Sequence, residues 1–422
     1  MDRKKIYVEY NAESQYPGAE DAFSPSIRYP EYRFGTISAT TNPIYDMVRS
    51  CFHHLGLDDE HYGTSEWNPL RDIIDLPEGG TVLVKPNFVK HMNPLGTLDC
   101  LVTHGSVVRA VLDYVIIALN AGNRLVVGDA PVQTCDYEEL MKAAHYDSIM
   151  EFYARQEIDV RFVDFRGTVS KTGRAGVIFQ ENANEEKPSI LVNMAENSAF
   201  YNCGKEKNLR IANYSKKEVY SHHHDHTHEY LIYADALHAD VIINLPKPKT
   251  HRIAGMTGAL KNIVGINVEK DYLPHHTMGA KSNNARGDEY PKANLLYTWH
   301  SKLNESIDWA NGRKLFIVTF LLKFGLYAIA VIGKFFNSKD NHITAGCWYG
   351  NDTLWRTVSD LNRILLYADK EGHLRQKQQR TVFTLADMVV IGEGEGPLRP
   401  SPKTMHMIVA GFNSWDLDRL IS

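Results

Sequence analysis

The stretch TVLVKPNFV at residues 81–89 begins a strand–helix–strand unit that decides the fold. Its apolar, β-branched run ends in Lys85 and Asn87. Residues 104–123 follow with helical spacing and an Ala-Gly stop, and RLVVGDAP at 124–131 is a second apolar run. Continuous apolar runs are typical of parallel strands that are buried on both faces. The unit therefore predicts a parallel sheet with flanking helices.

Two later segments repeat the pattern of an Ala-Asp pair, an apolar run and a polar end. They are ADVIINLPKPKTH at 239–251 and ADMVVIGEGEGP at 386–397. The first run ends in cations on a backbone that two prolines restrict, and the second ends in a charged, glycine-rich loop. The charged side chains at their ends are Lys247, Lys249, His251, Glu393 and Glu395. The predicted fold class is α/β, with a mostly parallel sheet.

The 422 residues divide into four predicted parts. They are an irregular N-terminal preface at 1–80 with a helix near 44–55, an α/β core at 81–299, a helical insertion at 300–345, and a C-terminal part at 346–422 that returns to the core. A chain of this length is sufficient for two or three domains, or for one large unit with insertions.

In open parallel sheets, ligands bind beyond the carboxyl ends of the strands. The polar side chains that follow the predicted strands, including Asp129, are therefore expected to meet at one edge. The alternative is that loops after strands are polar in any protein.

Lys247, Lys249, Lys261 and Asn262 form a cationic, hydrogen-bonding set. A helix predicted to begin near Thr257 would add backbone N–H groups and a positive dipole end. This pattern predicts a site for a phosphate, a carboxylate or a developing oxyanion. The alternative is a structural network in which these lysines pair with the two glutamates of GEGEGP.

The glutamates of GEGEGP are Glu393 and Glu395, and the alternating glycines allow backbone conformations and a close approach that other residues forbid. They are candidates for acid–base catalysis or for ligation of a hard cation such as magnesium. The alternative is a flexible loop with solvated charges.

Histidines are concentrated in SHHHDHTHEY at 221–230 and in the pair His275 and His276. On an extended strand, every second residue would point to the same side and present imidazoles to one divalent metal. Those residues are His222, His224, His226 and His228. The alternative is a histidine-rich surface loop without a functional metal.

Residues 315–336 form an apolar segment long enough to cross a bilayer. Lys323 near its centre makes a spanning placement costly, and a narrow polar stripe favours an in-plane amphipathic helix at a membrane surface. A helix buried against the protein, or against a second copy in a homo-oligomer, fits the pattern equally well.

The composition excludes some classes of function. A net charge of −5 argues against a general nucleic-acid partner. The five cysteines are dispersed without a C-x-x-C pair, so no iron–sulfur cluster is expected. Reduced thiols and the lack of a signal-peptide pattern predict a cytoplasmic protein, with the inner face of the cytoplasmic membrane as its other expected location.

Residues 243–279, INLPKPKTHRIAGMTGALKNIVGINVEKDYLPHHTMG, resemble the family called domain of unknown function 362. The resemblance also includes VLVKPNFV, VVGDAP, GNDTLWRTVSDLNRILLYAD and GEGEGPLRP, and it spans roughly residues 80–410. It is strongest to long members found among bacterial polysaccharide-biosynthesis genes. Many members carry a ferredoxin-like cysteine segment, which this chain lacks. A fainter likeness, to the nickel-pincer lactate racemase, implies a site at His251, Lys261 and His275.

Together, these features predict an enzyme that acts on a small anionic metabolite or on an activated sugar or lipid-linked precursor. The expected anion ligands are Lys85, Lys247, Lys249 and Lys261, oriented by Asn87 and Asn262. The expected general base or metal ligand is Asp129, Glu393 or Glu395, and the candidates for proton transfer are His251, His275 and His276. The alternatives are a non-catalytic metal or ligand carrier and a membrane-associated assembly factor.

Overall fold

The computed structural model describes residues 3–172, 178–183, 187–281, 286–293, 295–336 and 344–422. The strands in this part of the chain are β1 (Ile6–Tyr10), β2 (Thr81–Pro86), β3 (Arg124–Asp129), β4 (Arg161–Asp164), β5 (Thr168–Thr172), β6 (Ile178–Asn182), β7 (Ser189–Asn193), β8 (Leu209–Arg210), β9 (His223–His224), β10 (Thr227–Tyr233), β11 (Val241–Leu245), β12 (Lys249–His251), β13 (Gly255–Thr257), β14 (His276–Thr277), β15 (Thr381–Glu395) and β16 (Arg399–Gly411).

The helices in the same part of the chain flank these strands. They are α1 (Pro43–His54), α2 (Gly105–Ala118), α3 (Tyr137–Ala143), α4 (Tyr146–Ala154), α5 (Lys216–His222), α6 (Ala234–His238), α7 (Ala259–Asn262), α8 (Leu295–Gly312), α9 (Phe316–Phe336), α10 (Leu354–Tyr367) and α11 (Ser414–Ile421).

Nine of the described strands form the central sheet, in the order β1-β16-β15-β11-β2-β3-β4, with β12 and β13 attached beside β15. The pairs from β15 through β11, β2 and β3 to β4 are parallel, whereas β16 is antiparallel to both β1 and β15. The strand–helix–strand prediction is confirmed, because β2, α2 and β3 form it. The α/β fold class with a mostly parallel sheet is confirmed as well.

Both faces of the sheet are covered, as the continuous apolar runs predict. Val82 and Val84 of β2 belong to a core with α1, α2 and α4, whereas Leu83 belongs to a core on the opposite face with β10 and α10. Neighbouring side chains on a strand point to opposite faces, so a run that is apolar at every position satisfies both cores.

The structure corrects three details of the sequence prediction. The preface contains β1, which forms an edge of the central sheet through β16, in addition to the predicted helix. The GEGEGP stretch begins as strand rather than loop, because β15 extends to Glu395 and pairs with β16. The segment after β11 is likewise not a free loop, since Lys249–His251 pairs with β13 and with β15.

The helical insertion is a hairpin of α8 and α9. The end of the predicted insertion, residues 337–343, lies outside the described residues. Over the described residues, no helix has both the length and the apolar character needed to cross a bilayer.

Candidate functional site

A cavity of about 590 Å³ lies beyond the carboxyl ends of β2 and β3, the edge at which the sequence predicts a ligand. Apolar and polar side chains share its wall. The predicted site residues that line it are Asn87, Asp129, His251, Lys261, Asn262, His275 and His276. Helices α8 and α9 close one side through residues such as Ile307, Lys323 and Leu326.

Lys85 lies beneath this cavity in a buried ion pair. Its Nζ is 2.7 Å from Asp129 Oδ1 and 3.2 Å from Asn262 Oδ1. The other oxygen of Asp129 accepts a hydrogen bond from the Phe88 backbone N–H at 2.8 Å. Gly265 packs so closely that a Cβ there would lie 1.7 Å from Asp129 Oδ1. Lys85 therefore already has a counter-ion within the protein.

Lys247 forms a second buried ion pair, 3.0 Å from Asp387 Oδ2, and neither side chain is exposed. The Tyr16 hydroxyl donates to Asp387 and contacts the lysine, and the His104 backbone N–H donates to the same carboxylate. Burial lowers the pKa of Lys247, and the Asp387 charge opposes that shift. Lys247 does not line the cavity, so it belongs to a structural network. Its partner in that network is Asp387, and not Glu393 or Glu395 as the sequence alternative predicts.

Lys249 is buried and donates to Asn87 Oδ1 and to the Lys247 carbonyl at 2.8 Å. No carboxylate in the described residues lies within ion-pair distance of it. Burial, followed by the charge of Lys247, lowers its pKa well below the usual lysine value. Asn87, which does line the cavity, therefore has its side-chain oxygen engaged by Lys249.

Lys261 and Lys270 are the cations that face the cavity without a partner. In the described part of the chain, neither ammonium has a hydrogen-bond acceptor or an ion-pair carboxylate, and both side chains are half-buried. Burial lowers the pKa of each to about 8, with the Lys85 charge adding to the shift at Lys261. Both ammonium groups are therefore available to an anion that enters the cavity.

The histidines of the cavity differ in the ring atom that they present. His251 Nδ1 accepts hydrogen bonds from the backbone N–H groups of Ile253 and Ala254, so in the neutral ring Nε2 carries the proton. His275 Nδ1 donates to the Leu273 carbonyl at 2.7 Å, which leaves a lone pair on Nε2. Burial is the main cause that lowers the pKa of His251 well below its usual range and that of His275 to about 3. One ring therefore offers a donor and the other an acceptor.

The positions of these ring protons bear on a metal site. They determine whether the residues implied by the likeness to the nickel-pincer lactate racemase can act as metal ligands. A metal ligand must present a lone pair, as His275 does. In this hydrogen-bonding state, His251 presents an N–H instead. His251, Lys261 and His275 share the cavity, but as a set they do not fit as metal ligands.

His276 faces a second polar group at the wall of the cavity. Its Nε2 is 4.0 Å from Glu289 Oε1, an oxygen that is buried without a hydrogen bond in the described structure. Glu289 Oε2 accepts from Ser301 and from the Gly279 backbone. Burial lowers the pKa of His276 to about 3 and raises that of Glu289.

Glu393 and Glu395 lie outside the cavity. Both are exposed, and their carboxylates pair with Lys403 at 2.6 Å and with Arg252. Because β15 continues through this stretch, it carries the glutamates past the cavity. Pro397 and Leu398 at the following turn contribute to the lining instead.

The histidine-rich segment folds as a hairpin and not as one extended strand. His222 ends α5, His223 and His224 form β9, and the left-handed Asp225 begins the turn into β10. The alternation that would align four imidazoles is therefore broken.

The individual histidines of this segment contact different neighbours. His222 lies 3.3 Å from Asp271, His224 and His226 lie against Tyr220 and Tyr201, and His228 is buried beside His223. Among the described residues, the trios with metal-ligand spacing are Asp58, Glu60 and His61, and Asp369, Glu371 and His373. The four predicted histidines are thus not brought together.

The predicted helix N-terminus near Thr257 does not provide an anion site. The helix is the four-residue α7, and the Asp418 carboxylate accepts from the backbone N–H groups of Ala259 at 2.6 Å and Leu260 at 3.0 Å. A carboxylate of the chain itself therefore occupies the position that an external anion would take.

The sequence prediction did not name several polar residues of the cavity, among them Lys270, Arg210 and Glu289. Arg210 is buried and ion-paired to Glu305 and Asp308 of α8. None of the three follows a strand of the central sheet, so the rule used on the sequence could not select them.

A solved structure that the chain resembles is a Thermotoga maritima protein determined by the Northeast Structural Genomics Consortium, with 13% sequence identity and a TM-score of 0.30. The alignment covers 80% of this chain and 53% of that one, so the chain spans about half the length of that protein. No curated protein matches the chain. The family model described as "Domain of unknown function (DUF362)" matches residues 82–183 and 169–422, and the chain therefore belongs to the DUF362 family.

Proposed function

We propose that this protein is an enzyme that acts on a small anionic metabolite, or on an activated sugar or lipid-linked precursor of the kind used in polysaccharide biosynthesis, in the sheet-edge cavity. The observation that carries the proposal is the pair Lys261 and Lys270, which face the cavity without an acceptor or counter-ion among the described residues. A half-buried cation is stabilised by an opposite charge, so we infer that the missing partner is an anionic ligand.

The wall of the cavity supports both binding and chemistry. Lys261 and Lys270 neutralise the anion, and the Nε2–H of His251 donates a hydrogen bond to it. The free Nε2 of His275 accepts a proton from the bound molecule as general base. An anion at Lys261 raises the pKa of His275, because the Lys261 charge is one of the causes that lower it in the free protein.

The proposal places the enzyme in the cytoplasm, at the inner face of the cytoplasmic membrane. The five cysteines are free thiols, and three of them are buried, which supports a reducing compartment. Asp129 is left out of the chemistry because Lys85 and the Phe88 N–H already engage both of its oxygens.

The general-base role of His275 is tested with the small molecule that co-purifies with the protein. Native mass spectrometry identifies it, and the released molecule is then incubated with fresh protein in D₂O. We expect the wild type to exchange a carbon-bound hydrogen for deuterium, and His275→Ala to exchange it at least about 100-fold more slowly. Equal exchange by the two proteins would remove His275 from the reaction.

A further inference from the structure

The α8–α9 hairpin turns its apolar side outward. Ile317, Leu321 and Phe324 of α9 are 78%, 63% and 69% exposed. In contrast, Thr319 is buried and Lys323 lines the cavity, so these two polar side chains face the protein. A surface helix in water normally has the opposite arrangement. A continuous apolar surface of this kind marks an interaction site.

The charges on the hairpin have a single sign on the exposed side. Its acidic residues are Glu305 and Asp308, and both form ion pairs with Arg210 on the protein side. The exposed charged side chains on its described surface, Lys302, Arg313 and Lys314, are cations. The outer surface is therefore apolar and positive, which complements a surface that is apolar and negative.

Tryptophans lie beside these cations. Trp299 and Trp309 are 54% and 43% exposed, and the charges of Lys302 and Arg313 lie 5.8 Å and 4.5 Å from their ring centroids. Indole rings next to basic side chains are typical of the headgroup region of a membrane, where an aromatic ring meets anionic lipid. A symmetric contact with a second copy would instead bring like charges together.

We propose that the outer face of the α8–α9 hairpin docks on an anionic lipid membrane, in the plane of its surface. The inner side of α9 contributes Lys323 and Leu326 to the cavity, so docking brings the cavity next to the lipid. The ligand is then an amphiphile whose anionic headgroup enters the cavity from the membrane, a consequence that rests on the proposed function.

Vesicle flotation tests the docking. We expect the wild type to float with vesicles of phosphatidylcholine and phosphatidylglycerol, and far less with phosphatidylcholine alone or at high salt. Combining Ile317→Ser, Leu321→Ser and Phe324→Ser is expected to weaken vesicle binding at least about tenfold, because these side chains insert into the interface. Lys261→Met, which alters only the cavity, is expected to float like the wild type.

A second variant separates docking from folding. Arg313→Glu with Lys314→Glu changes the exposed turn before α9 and is expected to lose binding to the anionic vesicles while keeping the wild-type circular dichroism. Two results would overturn the docking. The first is that both variants float as the wild type does. The second is that the wild type does not bind anionic vesicles and instead forms a dimer, which the triple serine variant disrupts.

A separate measurement of binding affinity tests whether the ligand is an amphiphile. We expect a short-chain phosphatidic acid to bind at least about tenfold more tightly than inorganic phosphate, because its acyl chains add apolar contact. Equal affinities would contradict the amphiphile and leave docking in place. Failure of both probes to bind, with vesicle flotation intact, would instead count against the proposed function.

Discussion

Lys247→Met is expected to lower the free energy of unfolding by roughly 3–5 kcal/mol, because it leaves the Asp387 carboxylate buried without its cation. Among the described residues, the carboxylate would retain the Tyr16 hydroxyl and the His104 backbone N–H as donors. Urea denaturation followed by circular dichroism measures the change. Lys377→Met, at an exposed lysine ahead of β15, is the matched control and should change stability by less than about 0.5 kcal/mol.

A double variant shows whether the loss comes from the unpaired charge. Lys247→Met with Asp387→Asn removes both charges and should be more stable than the single variant by roughly 1–3 kcal/mol. The folded single variant should also keep its affinity for sulfate, since Lys247 is not in the cavity lining. A stable single variant that has lost sulfate binding would return Lys247 to the ligand site that the sequence predicts.

Lys261→Met is expected to weaken sulfate binding on the order of 10- to 100-fold at pH 7, since it removes a charged donor from a half-buried site. Stability should change little, because Lys261 pairs with no described residue. Isothermal titration calorimetry measures the affinity, with Lys377→Met again as the control. Sulfate is a suitable probe because its charge is constant over the pH range of interest.

The wild-type affinity for sulfate is also expected to fall as pH rises through about 8. Lys261 and Lys270 have pKa values of about 8, and only the protonated ammonium attracts the anion. The affinity should therefore be high at pH 7 and at least about tenfold lower at pH 9.5. Lys261→Met should show a smaller change, due to Lys270. An affinity independent of pH would show that these lysines do not bind the anion.

The sequence predicted the framework well because the strands are buried on both faces. A run such as TVLV is typical of a strand that is buried on both faces, and its carboxyl end marks the edge of the sheet at which the cavity lies. The strand β1 was missed because it pairs with β16, about 400 residues later, and no local pattern indicates that partner.

The site was harder to predict, because a lysine in a sequence does not reveal its counter-ion. Lys85 lies near the end of β2, Lys247 follows β11 and Lys261 follows β13. Asp129 and Asp387 neutralise the first two of these lysines. Lys270 faces the cavity from the start of a short 3-10 helix, Lys270–Tyr272, that no periodicity identifies. The predicted alignment of four histidines on one strand is not observed, because the left-handed turn at Asp225 breaks the alternation that it required.

Crystals soaked in selenate at pH 7 test the central claim most directly, because selenium marks the anion by anomalous scattering. The account predicts a peak inside the cavity within hydrogen-bond distance of Lys261 Nζ, and its loss in crystals of Lys261→Met. Selenate bound only at surface cations, with the cavity empty in the wild type, would contradict it.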